Sequence, residues 1–406
     1  MRIAFISFEF PPAVAIGGIG AYTEAAAEMM AALGHSVEVF AACAPGTPTA
    51  DRRSFPVHRI PAADRSAFRK GLPEAFLAAH RTGPFDVMES PEIGCEAAGV
   101  KAALPRLAHV IRLHTCTAIL SLDGWAPPPA SVQLRFLLSR LLRGRLEWLS
   151  APAHAPDTDE ERLGALAADL LVAPTRAMSR RLAPLWRLSE ESIEVLPNVL
   201  IPSPALLALC RPPTGSCVAF LGRLERRKGY DTLVRALPRV LGGNPEARAL
   251  FIGPAWPRPY SSQDSVAWSR RELRAFGPRV HFTGGLASTA VPAALAESDL
   301  VVLPSRWENF PYACAEAMAA GRCVIGSSEG GMADMIRHGV NGYLSRPDRP
   351  AELAELIGFL LRQPALREAA GAAARATITG QLSPALLGPA QEALYRKAIA
   401  LAAARP

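Results

Sequence analysis

Apolar positions along the chain fall into short runs of strand length, separated by longer stretches of helical period. The first unit sets the rule. Ile3 to Phe8 is almost continuously apolar, Ala21 to Leu33 carries apolar residues at helical spacing, and Val37 to Ala41 is apolar again. Strand, helix and strand in that order make a βαβ unit, whose crossover leaves the two strands parallel. Strand-length runs recur at Phe85 to Met88, His109 to Leu113 and Leu170 to Ala173, with helix-like stretches between them. The first half therefore reads as an α/β domain.

The pattern breaks between Leu196 and Ser216, where Pro197, Pro202, Pro204, Pro212 and Pro213 interrupt the periodic segments, and an interdomain linker is expected there. A second βα series follows: Cys217 to Leu221, a helix from Asp231, then Ala249 to Ile252, Val280 to Phe282, Leu300 to Leu303 and Cys323 to Ile325. The alanine-rich tail after Ala351 reads as helices and ends in Pro384 to Ala404. A chain of 406 residues has room for two domains of ordinary size. The expected architecture is α/β, two doubly wound Rossmann-like domains over residues 1–200 and 201–383, with a terminal helix over 384–406 crossing back to the first domain.

One region resists this pattern. Pro127 to Pro129 and the polar stretch Ala151 to Asp159 bracket Val132 to Leu149, which mixes leucines with Arg135, Arg140, Arg143 and Arg145. Such a segment can lie on an anionic membrane. The ordinary alternative, an amphipathic helix that packs its leucines inward, is the expectation. Phe55 to Leu72 and Ile119 to Pro129 read as loops.

Composition narrows the choice of partners. The net charge of +7 suits phosphates, anionic lipid or nucleic acid. With aromatics at 7% and no run that interleaves them with basic residues, nucleic acid is set aside. Cys43, Cys95, Cys116, Cys210, Cys217, Cys314 and Cys323 form no CxxC pair and no metal-ligand spacing with histidine. Buried thiols in a reducing compartment are expected. No apolar run approaches the length of a membrane span, and the N-terminus begins with a strand rather than a signal peptide. The expected location is the cytoplasm, or the cytoplasmic side of a membrane. The oligomeric state stays open.

Three stretches carry candidate chemistry, each between a strand and a helix. The first, Pro304 to Gly321, follows the Leu300 to Leu303 run and holds Glu308, Asn309, Phe310, Pro311, Tyr312 and Glu316. Proline tolerates the first helical turn because its missing N–H has no partner there, so Pro311 marks a helix start. The amides of Tyr312, Ala313 and Cys314 are then expected to be free. Together with the helix dipole they form an anion site at the carboxyl end of a strand. The second stretch, Gly222 to Asp231, offers Arg223 as a planar fork and Lys228 as a mobile point charge, able to neutralise a leaving phosphate. The third is Gly17-Gly18-Ile19-Gly20, where small residues let a ligand approach the backbone. Thr23 stands where a GxGxxG fingerprint needs its last glycine, which disfavours a nicotinamide site.

Taken together, these stretches resemble the retaining glycosyltransferases of family 4, which have the GT-B fold, most densely from Val218 to Leu344. The resemblance implies two domains facing each other across a cleft, and transfer of a hexose-type sugar from a nucleotide diphosphate sugar to an acceptor. Arg223 and Lys228 resemble the family's diphosphate-binding pair. Glu308 and Glu316 resemble the ends of its E-x7-E motif, the first carboxylate facing the donor sugar and the second the ribose. Gly17 and Gly18 resemble the glycine loop that closes over the phosphates, and His114 the histidine that touches the donor sugar. Asn309, Phe310, Pro311, Tyr312 and Gly253 belong to the implied donor side, with Phe282 near the implied base pocket. Many relatives have glycine where Pro311 stands and glutamate where Asp334 stands.

The resemblance also favours a same-face mechanism in which the leaving phosphate accepts the acceptor's proton. Glu89, Glu92 and Asp123 are the N-domain carboxylates to exclude as nucleophiles. No metal or other cofactor is expected, because cations and a helix end supply the positive charge; Asp157 to Asp159, the one Asp-x-Asp, reads as solvated surface. A uridine diphosphate sugar is favoured over a guanosine diphosphate sugar as donor. The acceptor is left open among glycan, lipid-linked sugar and small molecule. A binding-only scaffold, an epimerase and a phosphorylase are the rival readings.

Overall fold

The computed structural model describes residues 1–14, 17–44, 53–209 and 215–405. Cys210, Pro212 and Pro213 lie outside the described residues. The chain forms two parallel sheets. The first contains β1 (Arg2–Ser7), β2 (Ser36–Cys43), β3 (Val57–Pro61), β4 (Val87–Pro91), β5 (Ala108–Arg112), β6 (Leu170–Ala173) and β7 (Ile193–Val195), in the order β3-β2-β1-β4-β5-β6-β7. The second contains β8 (Cys217–Leu221), β9 (Arg248–Ile252), β10 (Val280–Gly284), β11 (Leu300–Leu303), β12 (Cys323–Ser327) and β13 (Tyr343–Ser345), in the order β10-β9-β8-β11-β12-β13.

In each sheet the order reverses beside the first strand, between β1 and β4 and between β8 and β11. That reversal opens a crevice at the carboxyl ends of the strands, where doubly wound sheets bind ligands. The central strands are buried on both faces, which is why they read as continuous apolar runs. The Pro384–Ala403 helix packs on the first sheet, against β4 and β5. Its Gln391 and Tyr395 share a buried network with Tyr22 and Glu89, and Arg112 donates 2.6 Å to the Gln391 amide oxygen.

Several local expectations need correction. Phe55 to Leu72 is no loop: it holds β3 and the start of the Arg65–Thr82 helix. Ile119 to Pro129 begins inside the Thr117–Gly124 helix. Asp159 is no solvated surface carboxylate, since it caps the Glu160–Leu166 helix and accepts 2.9 Å from the Trp186 indole. Most markedly, the Ala130–Leu141 helix buries none of its residues, so its leucines do not pack inward. The described cysteines are free and buried.

Candidate active site

A cleft of about 400 Å³ opens between the carboxyl ends of the two sheets. Its C-domain wall begins with the turn after β8. Gly229 there adopts a left-handed φ of 69°, and a Cβ on it would stand 1.9 Å from the Pro304 carbonyl oxygen. Only glycine lets the two loops close that tightly, and the closure sets the cations beside Glu308. Lys228 Nζ lies 2.6 Å from one Glu308 oxygen, and Arg227 Nη1 lies 3.3 Å from the other. Burial would raise the Glu308 pKa, but these two cations outweigh it and hold the carboxyl below its ordinary value.

The remaining positive charge is also ordered. Glu225 sits between Arg227, at 2.7 Å, and Arg223, at 3.5 Å. The Arg223 guanidinium stacks 4.9 Å from the centre of the Trp256 ring and stays partly exposed to the cleft. Arg226 takes no part, donating 3.2 Å to the Trp125 carbonyl instead.

The Tyr312–Ala319 helix points its N-terminus at the same space, with Pro311 as its cap residue. One expectation changes here: the Cys314 amide is not free, because it donates 2.9 Å to the Pro311 carbonyl. Among the described residues no acceptor meets the amides of Tyr312 and Ala313, so two donors remain for an anion.

Asn309 joins the two domains. Its amide nitrogen donates to the carbonyls of Leu113, at 3.1 Å, and His114, and its oxygen accepts 3.3 Å from Thr175. The His114 ring packs edge-on against Tyr22 at 5.3 Å, and burial beside Arg112 and Arg65 lowers its pKa to about 3, so the imidazole is neutral. Across from them the glycine loop opens the Gly18–Ala32 helix; a Cβ on Gly18 would come within 3.1 Å of the Tyr312 ring.

This arrangement of two parallel sheets around a cationic cleft can be set beside known proteins. A model described as Glycosyltransferase Family 4 matches residues 16–202, and one described as Glycosyl transferases group 1 matches residues 211–377. The chain belongs to the GT-B glycosyltransferases of family 4. It is 26% identical to a glycogen synthase of Mycobacterium tuberculosis, over 97% of this chain and 94% of that one. Among solved structures it resembles sucrose-phosphate synthase from Thermosynechococcus elongatus, with a TM-score of 0.72, 22% identity and coverage of 98% of this chain and 99% of the other. It also resembles Anabaena HepE in complex with UDP and glucose, with a TM-score of 0.66, 20% identity and coverage of 98% and 100%.

The transferase brings His114, Arg223, Lys228, Glu308, Gly17, Gly18, Asn309, Phe310, Pro311 and Tyr312 to the wall of one cleft. Gly253, Phe282 and Glu316 stand outside that wall. Gly253 follows β9 with a φ of 147°, directly against Gly222. Phe282 stacks flat on Phe251 with 4.8 Å between ring centres, a core contact rather than a cleft contact. Glu316 is one turn deeper in its helix, where burial alone pushes its carboxyl up to about 7.

Of the carboxylates to be excluded as nucleophiles, Glu89 is inside the Tyr395 network, Glu92 accepts the His114 amide at 2.8 Å, and Asp123 pairs with Arg181 at 3.1 Å. None of the three lines the cleft. Glu9 does, and sequence reasoning missed it. Arg65 lies 2.5 Å from its Oε1, yet burial outweighs Arg65 and the more distant Arg223 and leaves its pKa raised. Arg227 was missed as well, although it sits inside the cation run. Asp334, on the other domain from the Arg176–Trp186 helix, accepts 3.0 Å from the Ala177 amide in that helix's first turn.

Proposed function

We propose that the transferase moves a hexose-type sugar from a uridine diphosphate donor to a hydroxyl acceptor with retention of anomeric configuration and without a metal. The observation that carries this reading is the convergence of Arg223, Lys228 and the amides of Tyr312 and Ala313 on one cleft. Fixed cations and helix amides stabilise a diphosphate as its bond to the sugar breaks. In the same-face step the anomeric C–O bond to phosphate breaks and the acceptor oxygen bonds to that carbon from the same side. Its proton passes to the departing phosphate.

The burial or pairing of Glu89, Glu92 and Asp123 supports this route over a covalent one. The complex of HepE with UDP and glucose supports the choice of uridine, and the likeness to a glycogen synthase supports a glucose-type sugar. The test is thermal melting in chelator against UDP, GDP, ADP and their sugar conjugates. A ligand at one hundred times its dissociation constant adds about 2.7 kcal/mol of stability, so UDP and a UDP-hexose are expected to raise the melting temperature. Stabilisation by another base reassigns the donor, and no shift with any of them removes the transferase reading of this cleft.

A further inference from the structure

The Ala130–Leu141 helix and the segment that returns from it form a hairpin outside the cores of both domains. Arg140 Nε donates 2.6 Å to Glu147, tying the return segment to the helix. The chain's large exposed apolar side chains concentrate here: Leu142 is 90% exposed, Leu146 73% and Trp148 60%, with Leu134 and Leu138 more than half exposed. Large apolar side chains left exposed together on one segment mark an interaction site. Arg135, Arg143 and Arg145 are interleaved with them and exposed. Glu147, the single acid between Asp123 and Asp157, is engaged by Arg140 and lies 3.9 Å from Arg145, so one carboxylate faces four arginines.

We propose that this hairpin docks on an anionic lipid surface, its leucines and Trp148 entering the interface and its arginines pairing with headgroups. Charge decides between the occupants. A second copy related by a two-fold axis would bring the same arginines face to face with only one acid from each copy among them, whereas an anionic bilayer neutralises them. Leu120, in the helix just before the hairpin, lines the cleft, and Arg226 holds the hairpin's root at the Trp125 carbonyl. The root of the hairpin therefore borders the cleft. On the transferase reading above, this places the acceptor hydroxyl on a molecule carried at the membrane surface.

The test is flotation of the full chain with vesicles of phosphatidylcholine alone or of equal parts phosphatidylcholine and phosphatidylglycerol. Two variants are compared, Leu138→Glu/Leu142→Glu/Trp148→Glu and Arg135→Ala/Arg143→Ala/Arg145→Ala. The wild type is expected to float with the anionic vesicles and much less with the neutral ones. Loss of three arginines lowers partitioning by about a hundredfold, and both variants keep the wild-type melting temperature and its shift with UDP. No flotation, equal flotation with neutral vesicles, or flotation that survives both variants overturns the proposal. A wild-type dimer that the leucine variant dissociates, without vesicle binding, assigns the face to a second copy and overturns it too. Flotation without any nucleotide shift leaves docking intact and strikes the transferase reading alone.

Discussion

The Lys228 ammonium stands 2.6 Å from a Glu308 carboxylate oxygen, at a point where both side chains border the cleft. Two such groups would neutralise each other if nothing else entered. Arg223, Arg227 and Lys228 outweigh the two carboxylates they pair with, Glu225 and Glu308, so the cation loop keeps net positive charge for a diphosphate while Glu308 remains ionised.

Lys228→Ala leaves Glu308 buried beside Arg227 alone. Removing one partner of a buried pair costs about 3–5 kcal/mol, and with Arg227 remaining the expected loss at pH 7.5 is about 1–3 kcal/mol. The Glu308 pKa is depressed in the folded wild type, so the pairing stabilises above the unfolded pKa and fades as pH falls through the folded one. In the variant that pKa climbs. Urea unfolding at pH 7.5 and pH 5 should show a smaller penalty at pH 5; an equal penalty at both contradicts the ion pair's role.

Glu316 gives the opposite sign. Its folded pKa, about 7, lies above the ordinary carboxylate value, so stability falls as pH rises from that ordinary value through about 7. Glu316→Gln removes the cost of ionisation, and should be about 1–3 kcal/mol more stable than wild type at pH 8 but not at pH 5. Glu316 stands outside the cleft wall, but the family resemblance assigns its carboxylate to the donor ribose, and on that reading the same change should weaken UDP binding about tenfold. Calorimetric melting at both pH values and a UDP titration check the two parts separately.

Pro311→Gly adds an amide at the helix end and removes a constraint on the unfolded chain. Stability should fall by about 0.4–1 kcal/mol while UDP affinity rises severalfold. A variant that loses stability without gaining affinity would show that the Tyr312 and Ala313 amides already saturate the phosphate.

Glu9 is the N-domain carboxylate on the cleft wall, held by Arg65. Under same-face transfer Glu9→Gln keeps UDP affinity within about twofold and still forms product, more slowly by about tenfold, a loss of about 1.4 kcal/mol in transition-state stabilisation. Abolished transfer together with rescue by azide, giving a glycosyl azide, would make Glu9 a nucleophile instead.

Much of this was legible because the informative signals are local. Ile3 to Phe8 and Leu300 to Leu303 announce central strands by unbroken apolar character, which burial on both faces requires. The edge strands β3 and β13 and the three-residue β7 carry no such signature, and so Phe55 to Leu72 looked like a loop. In the site, the cation run and the Glu308–Glu316 spacing each lie within one short stretch of sequence. Glu9 and the Asp334 contact with Ala177 depend on chain segments that meet only after folding. The Ala130–Leu141 helix was misjudged for a related reason: periodicity shows which face is apolar, not what covers it.

The measurement closest to the central claim is calorimetric titration of UDP, in chelator, into wild type and into Arg223→Ala/Lys228→Ala. Metal-free binding is expected, weakened at least a hundredfold in the double variant, since two charge-assisted contacts of about 1.5–3 kcal/mol each are removed. Equal affinity in both proteins would mean that the diphosphate lies elsewhere and that this cleft is not the donor site.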